Sequence, residues 1–138
     1  MFVYWIFDNI NLLCTLKLVK RDPDWFGKMG MFSWFISLVL NLVQFLRTLQ
    51  QVNGQIKFYN DFCKKNPEKA DTFKDDLKKY YRQRTEAILN LIKTLGDIFP
   101  SFKGSGLADR VGFSWVNDLW CGAGGTVSAV IFLYQTYK

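Results

Sequence analysis

The chain contains no histidine. That removes the side chain most used as a general base and as a metal ligand near neutral pH. Cysteine is scarce and scattered, at Cys14, Cys63 and Cys121 only. No metal-ligand spacing appears, and the odd number leaves at least one thiol outside any intramolecular bridge. Free, reduced cysteines are expected, and no cofactor or metal. Proline occurs three times, at Pro23, Pro67 and Pro100, so long stretches carry no helix breaker. Charge is missing altogether from residues 29–46. The apolar start of the chain lacks the positive n-region of a secretory signal and is interrupted by Asp8, so it reads as mature structure.

What remains is greasy and basic. Hydrophobic residues make up 49% of the 138, aromatics 17%, and the formal net charge is +6. So much apolar surface in so short a chain points first to a membrane. The basic balance fits anionic lipid, nucleic acid or an acidic partner.

Four pieces follow one another. Residues 1–20 are mostly apolar, with Asp8, Asn11 and Thr15 at spacings of three and four. A helix there would carry them as one narrow polar stripe facing protein. "KRDPDWFGK" breaks the chain, with Asp22 or Asp24 placed to cap the next helix. Residues 29–46, bracketed by Lys28 and Arg47, would reach about 27 Å as a helix, close to the hydrocarbon thickness of a bilayer. Ser33, Ser37, Asn41 and Gln44 form a mild polar seam on it, suited to bonding a neighbouring helix.

The next stretch changes character. Between Arg47 and Arg110 lie 13 of the 18 basic and 8 of the 12 acidic residues. Residues 47–100 read as an amphipathic helical segment. Asn66 and Pro67 look like a helix start, and Gly96 and Pro100 like its stop. Glu68, Asp71, Asp75 and Asp76 come early and Lys78, Lys79, Arg82 and Arg84 late, an order that suits the helix dipole. Those four basic residues are the candidates for lipid-headgroup contact. Nucleic acid fits poorly, because Asp75, Asp76 and Glu86 flank the basic and aromatic cluster.

After the joint "SFKGSGLADR", residues 111–137 hold one charge, Asp118. Cys121, Gly125 and Ala129 recur every fourth residue, as do Gly124 and Ser128. In a membrane helix such small side chains let a neighbour approach closely. With Ser37 and Asn41 they are the expected helix-packing residues. A phosphate-binding glycine loop is excluded by the missing G-x-x-x-x-G-K-[ST] pattern. The expected fold is all-α: a single integral membrane bundle of about four helices, two of them transmembrane (29–46 and 111–137), plus one long amphipathic helix. If both stretches cross, the two ends share one side of the membrane.

Four stretches, taken in order, resemble the peroxin-11 family of peroxisome elongation and division proteins. "FDNINLL" (7–13) is similar to the family's aspartate-asparagine stretch. "FSWFISLVLNLVQFLRTL" (32–49) is similar to its central apolar segment. "GDIFPS" (96–101) resembles its aspartate-x-phenylalanine-proline joint, and "GGTVSAVIFLYQTYK" (124–138) its glycine-rich closing helix. The match spans most of the chain and corresponds to the later part of a typical member. The front of such a member carries the amphipathic helices credited with bending membranes. The resemblance implies a non-enzymatic structural protein of the peroxisomal membrane, in contact with lipids and with itself or other membrane proteins, and with no nucleic acid or small-molecule substrate. The alternative is an accessory subunit of a large mitochondrial inner-membrane complex, built on a shortened form of the same fold. The few acids in the apolar pieces, Asp8 and Asp118, are expected at the interface or paired with a neighbouring cation.

Overall fold

The computed structural model describes residues 2–69, 73–113 and 115–137. Met1 of the first predicted helix, Asp71 of the acidic cluster and Ser114 of the fourth piece lie outside them. The described residues form five α-helices and one 3-10 turn, with no strand among them: α1 (Phe2–Thr15), α2 (Pro23–Lys65), the turn Pro67–Lys69, α3 (Lys74–Gly104), α4 (Leu107–Val111) and α5 (Asp118–Thr136).

α1 is shorter than its apolar run. Lys17 takes a left-handed conformation, φ 57°. Its N–H donates to the Cys14 carbonyl and that of Leu18 to Leu13, the paired bonds of a Schellman stop. The residues turned inward are Tyr4, Phe7, Ile10, Asn11 and Cys14. Of the expected polar stripe, Asn11 alone faces protein, against Gly27; Asp8 and Thr15 are exposed. The large side chains, not the polar ones, set the packing face.

Asp22 caps α2 through its side chain, accepting from the Asp24 N–H, with Pro23 at the first position. α2 then runs 43 residues without a break, about 65 Å at the usual rise. The expected boundary at Arg47 is therefore a change of surface, not of backbone: nothing between Arg47 and Lys65 breaks a helix. Asn66 ends α2 instead of starting the next helix, its N–H donating to the Phe62 carbonyl. Pro67 is the reason, since the residue before a proline is driven out of the helical region. α3 also outruns its expected stop. Gly96 and Pro100 lie inside it, and it ends at Gly104. The closing helix begins at Asp118, capped by Asn117, not at Val111. The intervening joint holds α4 between Gly106 and Gly112, both at positive φ.

The helices pack in a row. α1 lies on α2, α2 on α3 and α3 on α5, while α2 and α5 do not touch among the described residues. α2 and α3 run antiparallel: Phe35 meets Phe102 at 5.5 Å between ring centroids, and Tyr59 meets Phe73 at 5.5 Å. α5 covers only the second half of α3. The molecule therefore has a wide apolar end built from all the long helices and a narrow polar arm built from residues 47–65 and 74–86.

The accessible surface is 10010 Å². A compact soluble chain of this mass would expose about 7,400 Å². Many large apolar side chains are among the exposed ones, on α1, α2 and α5 above all. Within residues 29–46 only Gly30 and Leu38 are buried, and Leu40 is 65% exposed. α2 is the one helix among the described residues long and apolar enough to cross a membrane. α5 has the length, but its glycines, Asp118 and Gln135 dilute its apolar content, and the second expected span does not meet the same measure.

Candidate helix-packing site and membrane face

The contact between α3 and α5 is built on two glycines. A Cβ placed on Gly124 would stand 2.5 Å from the Gly96 carbonyl oxygen, and one placed on Gly96 would stand 2.5 Å from that of Gly124. No side chain fits either way, so the two backbones touch. Pro100 explains why the Gly96 carbonyl is available. Proline has no N–H to donate to the carbonyl four residues earlier, and that carbonyl is Gly96's. It turns instead toward the Gly124 Cα, whose hydrogens make weak C–H donors. "GDIFP" and the glycine-rich stretch are two halves of one joint.

Polar pairs hold the contact at its ends. Gln135 Nε2 donates to Asn90 Oδ1 at 2.9 Å. Lys103 Nζ donates to Asp118 Oδ1 at 2.6 Å, so Asp118 finds its cation within its own chain. Phe99 stacks near Trp120 at 6.2 Å, and Lys93 Nζ sits 4.9 Å over the Phe132 ring.

The expected packing residues divide. Gly124 is in the contact. Ser128 is buried and Cys121 half-buried on the same face of α5, spaced by three and four from Gly124. Gly125 is half-buried, but a Cβ there would meet nothing within 4 Å. Ala129 is exposed. On α2, the half-buried Ser37 hydroxyl donates to the Ser33 carbonyl of its own helix at 3.0 Å, so it bonds no neighbour. Asn41 is half-buried beside it. Sequence reasoning missed Gly96, because glycine followed by proline was read as a helix end. The signal was there in the four-residue spacing of Gly96 and Pro100.

The candidate headgroup residues Lys78, Lys79, Arg82 and Arg84 are all exposed on the arm. Arg82 Nε is engaged by Glu86 Oε1 at 3.1 Å. An aromatic cluster stiffens the arm beyond them: Tyr59 lies 5.5 Å from Tyr80, and Phe62 5.4 Å from Phe73. Such pairs contribute about 0.5–1.5 kcal/mol each. The Tyr59 hydroxyl is held above the ordinary phenol range, by burial first and then by Tyr80 and Asp76.

Among the described residues no group of three or more side chains could hold a metal ion. The described residues offer a close helix joint, a wide apolar face and a charged arm. No curated protein and no solved structure matches the chain. The family model of Peroxisomal biogenesis factor 11 (PEX11) matches residues 1–137. Matched over nearly its whole length, the chain belongs to the PEX11 family.

Proposed function

We propose that the chain is a non-enzymatic structural protein of the peroxisomal membrane, acting by helix packing in the bilayer. Family membership supports a peroxisomal membrane biogenesis protein. The observation that carries the finer reading is the exposure of an uncharged helix. Residues 29–46 present Ile36, Val39, Leu40, Val43 and Leu46 outward rather than into a core. Full burial of such a side chain is worth about 1.5–3 kcal/mol, and at 38–65% exposure each forgoes part of it in water. Hydrocarbon around the wide end removes that penalty.

In this reading α2 crosses through residues 29–46 and α5 crosses beside α3, at about 28 Å for its 19 residues. The second half of α3 lies between them. It turns Ile88, Ile92 and Leu95 outward, while Lys93 turns toward α5, its Nζ over the Phe132 ring. The arm stands in water. Lipids are the first partners. The second are further membrane helices, a second copy included, meeting the exposed apolar faces of α1, α2 and α5. No observation favours the mitochondrial alternative.

Alkaline carbonate washing of membranes containing the chain tests the spanning claim. Retention in the pellet is expected. Recovery in the supernatant overturns it.

A further inference from the structure

We propose that the groove where α2, α3 and the end of α5 meet binds the polyhydroxyl headgroup of a membrane phospholipid. The inference rests on the reading that residues 29–46 span the bilayer. Under it, the groove opens at the edge of the hydrocarbon. Gln44 lies in the last turn of the uncharged stretch, and Gln55 stands three turns above it, about 16 Å away. That range covers the headgroup layer, about 5–8 Å deep on each face of a bilayer.

Two hollows form the groove. The larger, about 630 Å³, lies between α2 and α3. The smaller, about 160 Å³, lies between α3 and α5. They share Glu86 and Asn90. The size of the larger falls in the usual range for a small-ligand cleft.

Its chemistry is unlike the rest of the arm. The outer faces carry lysines and arginines, whereas the groove is lined by carboxamides. Gln44, Gln51, Gln55 and Gln83 are spaced along it with exposed side chains, and none of these side chains has a hydrogen bond among the described residues. An amide offers both donors and acceptors, and so does every hydroxyl of a polyol. A bare phosphate calls for cations, and the larger hollow has none. A quaternary ammonium calls for aromatic faces and a free anion. Phe45 and Tyr80 are present, but the one carboxylate, Glu86, is drawn to Arg82. Arg82 borders the smaller hollow, where it can meet the phosphate linking a headgroup to its glycerol. The Asn90 oxygen is held by Gln135, which leaves its amide hydrogens to face the ligand.

Native mass spectrometry of the full chain in detergent tests this. The probes are phosphatidylinositol, phosphatidic acid and phosphatidylcholine with identical acyl chains, and free inositol 1-phosphate. Phosphatidylinositol is expected to be retained about ten-fold better than phosphatidic acid, a few net hydrogen bonds' worth. Gln51→Leu with Gln83→Leu should reduce the preference to about two-fold, with helix content unchanged by circular dichroism. Gln50→Leu, off the groove, should leave it intact. Equal retention of phosphatidylinositol and phosphatidic acid, or a preference for phosphatidylcholine, overturns the proposal. So does an undiminished preference in the double variant. Free inositol phosphate displacing the lipid at equal concentration overturns the lipid assignment and makes the groove a site for a soluble polyol. A chain that stays in carbonate-washed membranes yet shows no headgroup preference sinks this inference alone; a chain lost from them sinks the membrane reading first.

Discussion

Gly124 and Gly125 are neighbours with opposite sensitivities. Gly124→Ala drives a methyl against the Gly96 backbone, and overpacking of this kind costs about 1–3 kcal/mol. Gly125→Ala meets open space within the chain and should be neutral or slightly stabilising, since alanine is the better helix former. Thermal unfolding of both variants in the same detergent separates them. Equal behaviour would refute the backbone contact. Lys17 offers a second test. A non-glycine residue in the left-handed region is strained by about 1–2 kcal/mol, so Lys17→Gly should stabilise the end of α1 by about 1 kcal/mol. Slower amide hydrogen exchange at residues 12–18 is the readout. Neither position stands out in the chain as written. The four-residue period of small side chains marks a face, but cannot say which of two adjacent glycines touches a partner. That depends on the crossing of α3 and α5, which Pro100 and Asn90 help to set. The cap, by contrast, was legible from "RDPDW" as Asp22 or Asp24, and Pro23 at the first helical position leaves the role to Asp22.

At the scale of helices, the uncharged stretch of α2 was legible and its continuation was not. Hydropathy changes at Arg47 while helix propensity does not, and the backbone follows propensity. Likewise Asn66-Pro67 reads as a start or a stop; Pro67 ends α2 at Asn66, and the Tyr59, Phe62, Phe73 and Tyr80 cluster then lays α3 back along it. The membrane reading makes a prediction here. Leu40→Arg places a charge near the middle of residues 29–46, where insertion costs about 2.5–3.5 kcal/mol. Carbonate retention should fall sharply. Gln50→Arg, beyond Arg47 and exposed, should have no such effect. Equal retention of both variants would remove the span from α2.

For the molecule as a whole, the row of helices predicts where the chain is open to attack. In sealed vesicles displaying the arm, added trypsin should cut at its exposed lysines, Lys64, Lys65, Lys78 and Lys79 among them, and added protease of any kind should spare residues 29–46. Cleavage inside the apolar end at a similar rate would mean that no bilayer protects it. Helical periodicity announced an all-α chain, and the described residues are all helix and turn. The open row was not announced, because periodicity records which face is apolar and not whether protein or lipid covers it.

The unbroken course of α2 has a mechanical consequence. The same rod that sits among the apolar helices also forms one side of the arm, with no hinge at Arg47 to absorb bending. Residues 47–65 reach about 28 Å beyond the apolar stretch. Under the membrane reading, a tilt of about 10° at the bilayer, within the ordinary range for spanning helices, would sweep the far end sideways by about 5 Å. Local changes in membrane thickness or curvature would thus be read out as displacement of the charged tip.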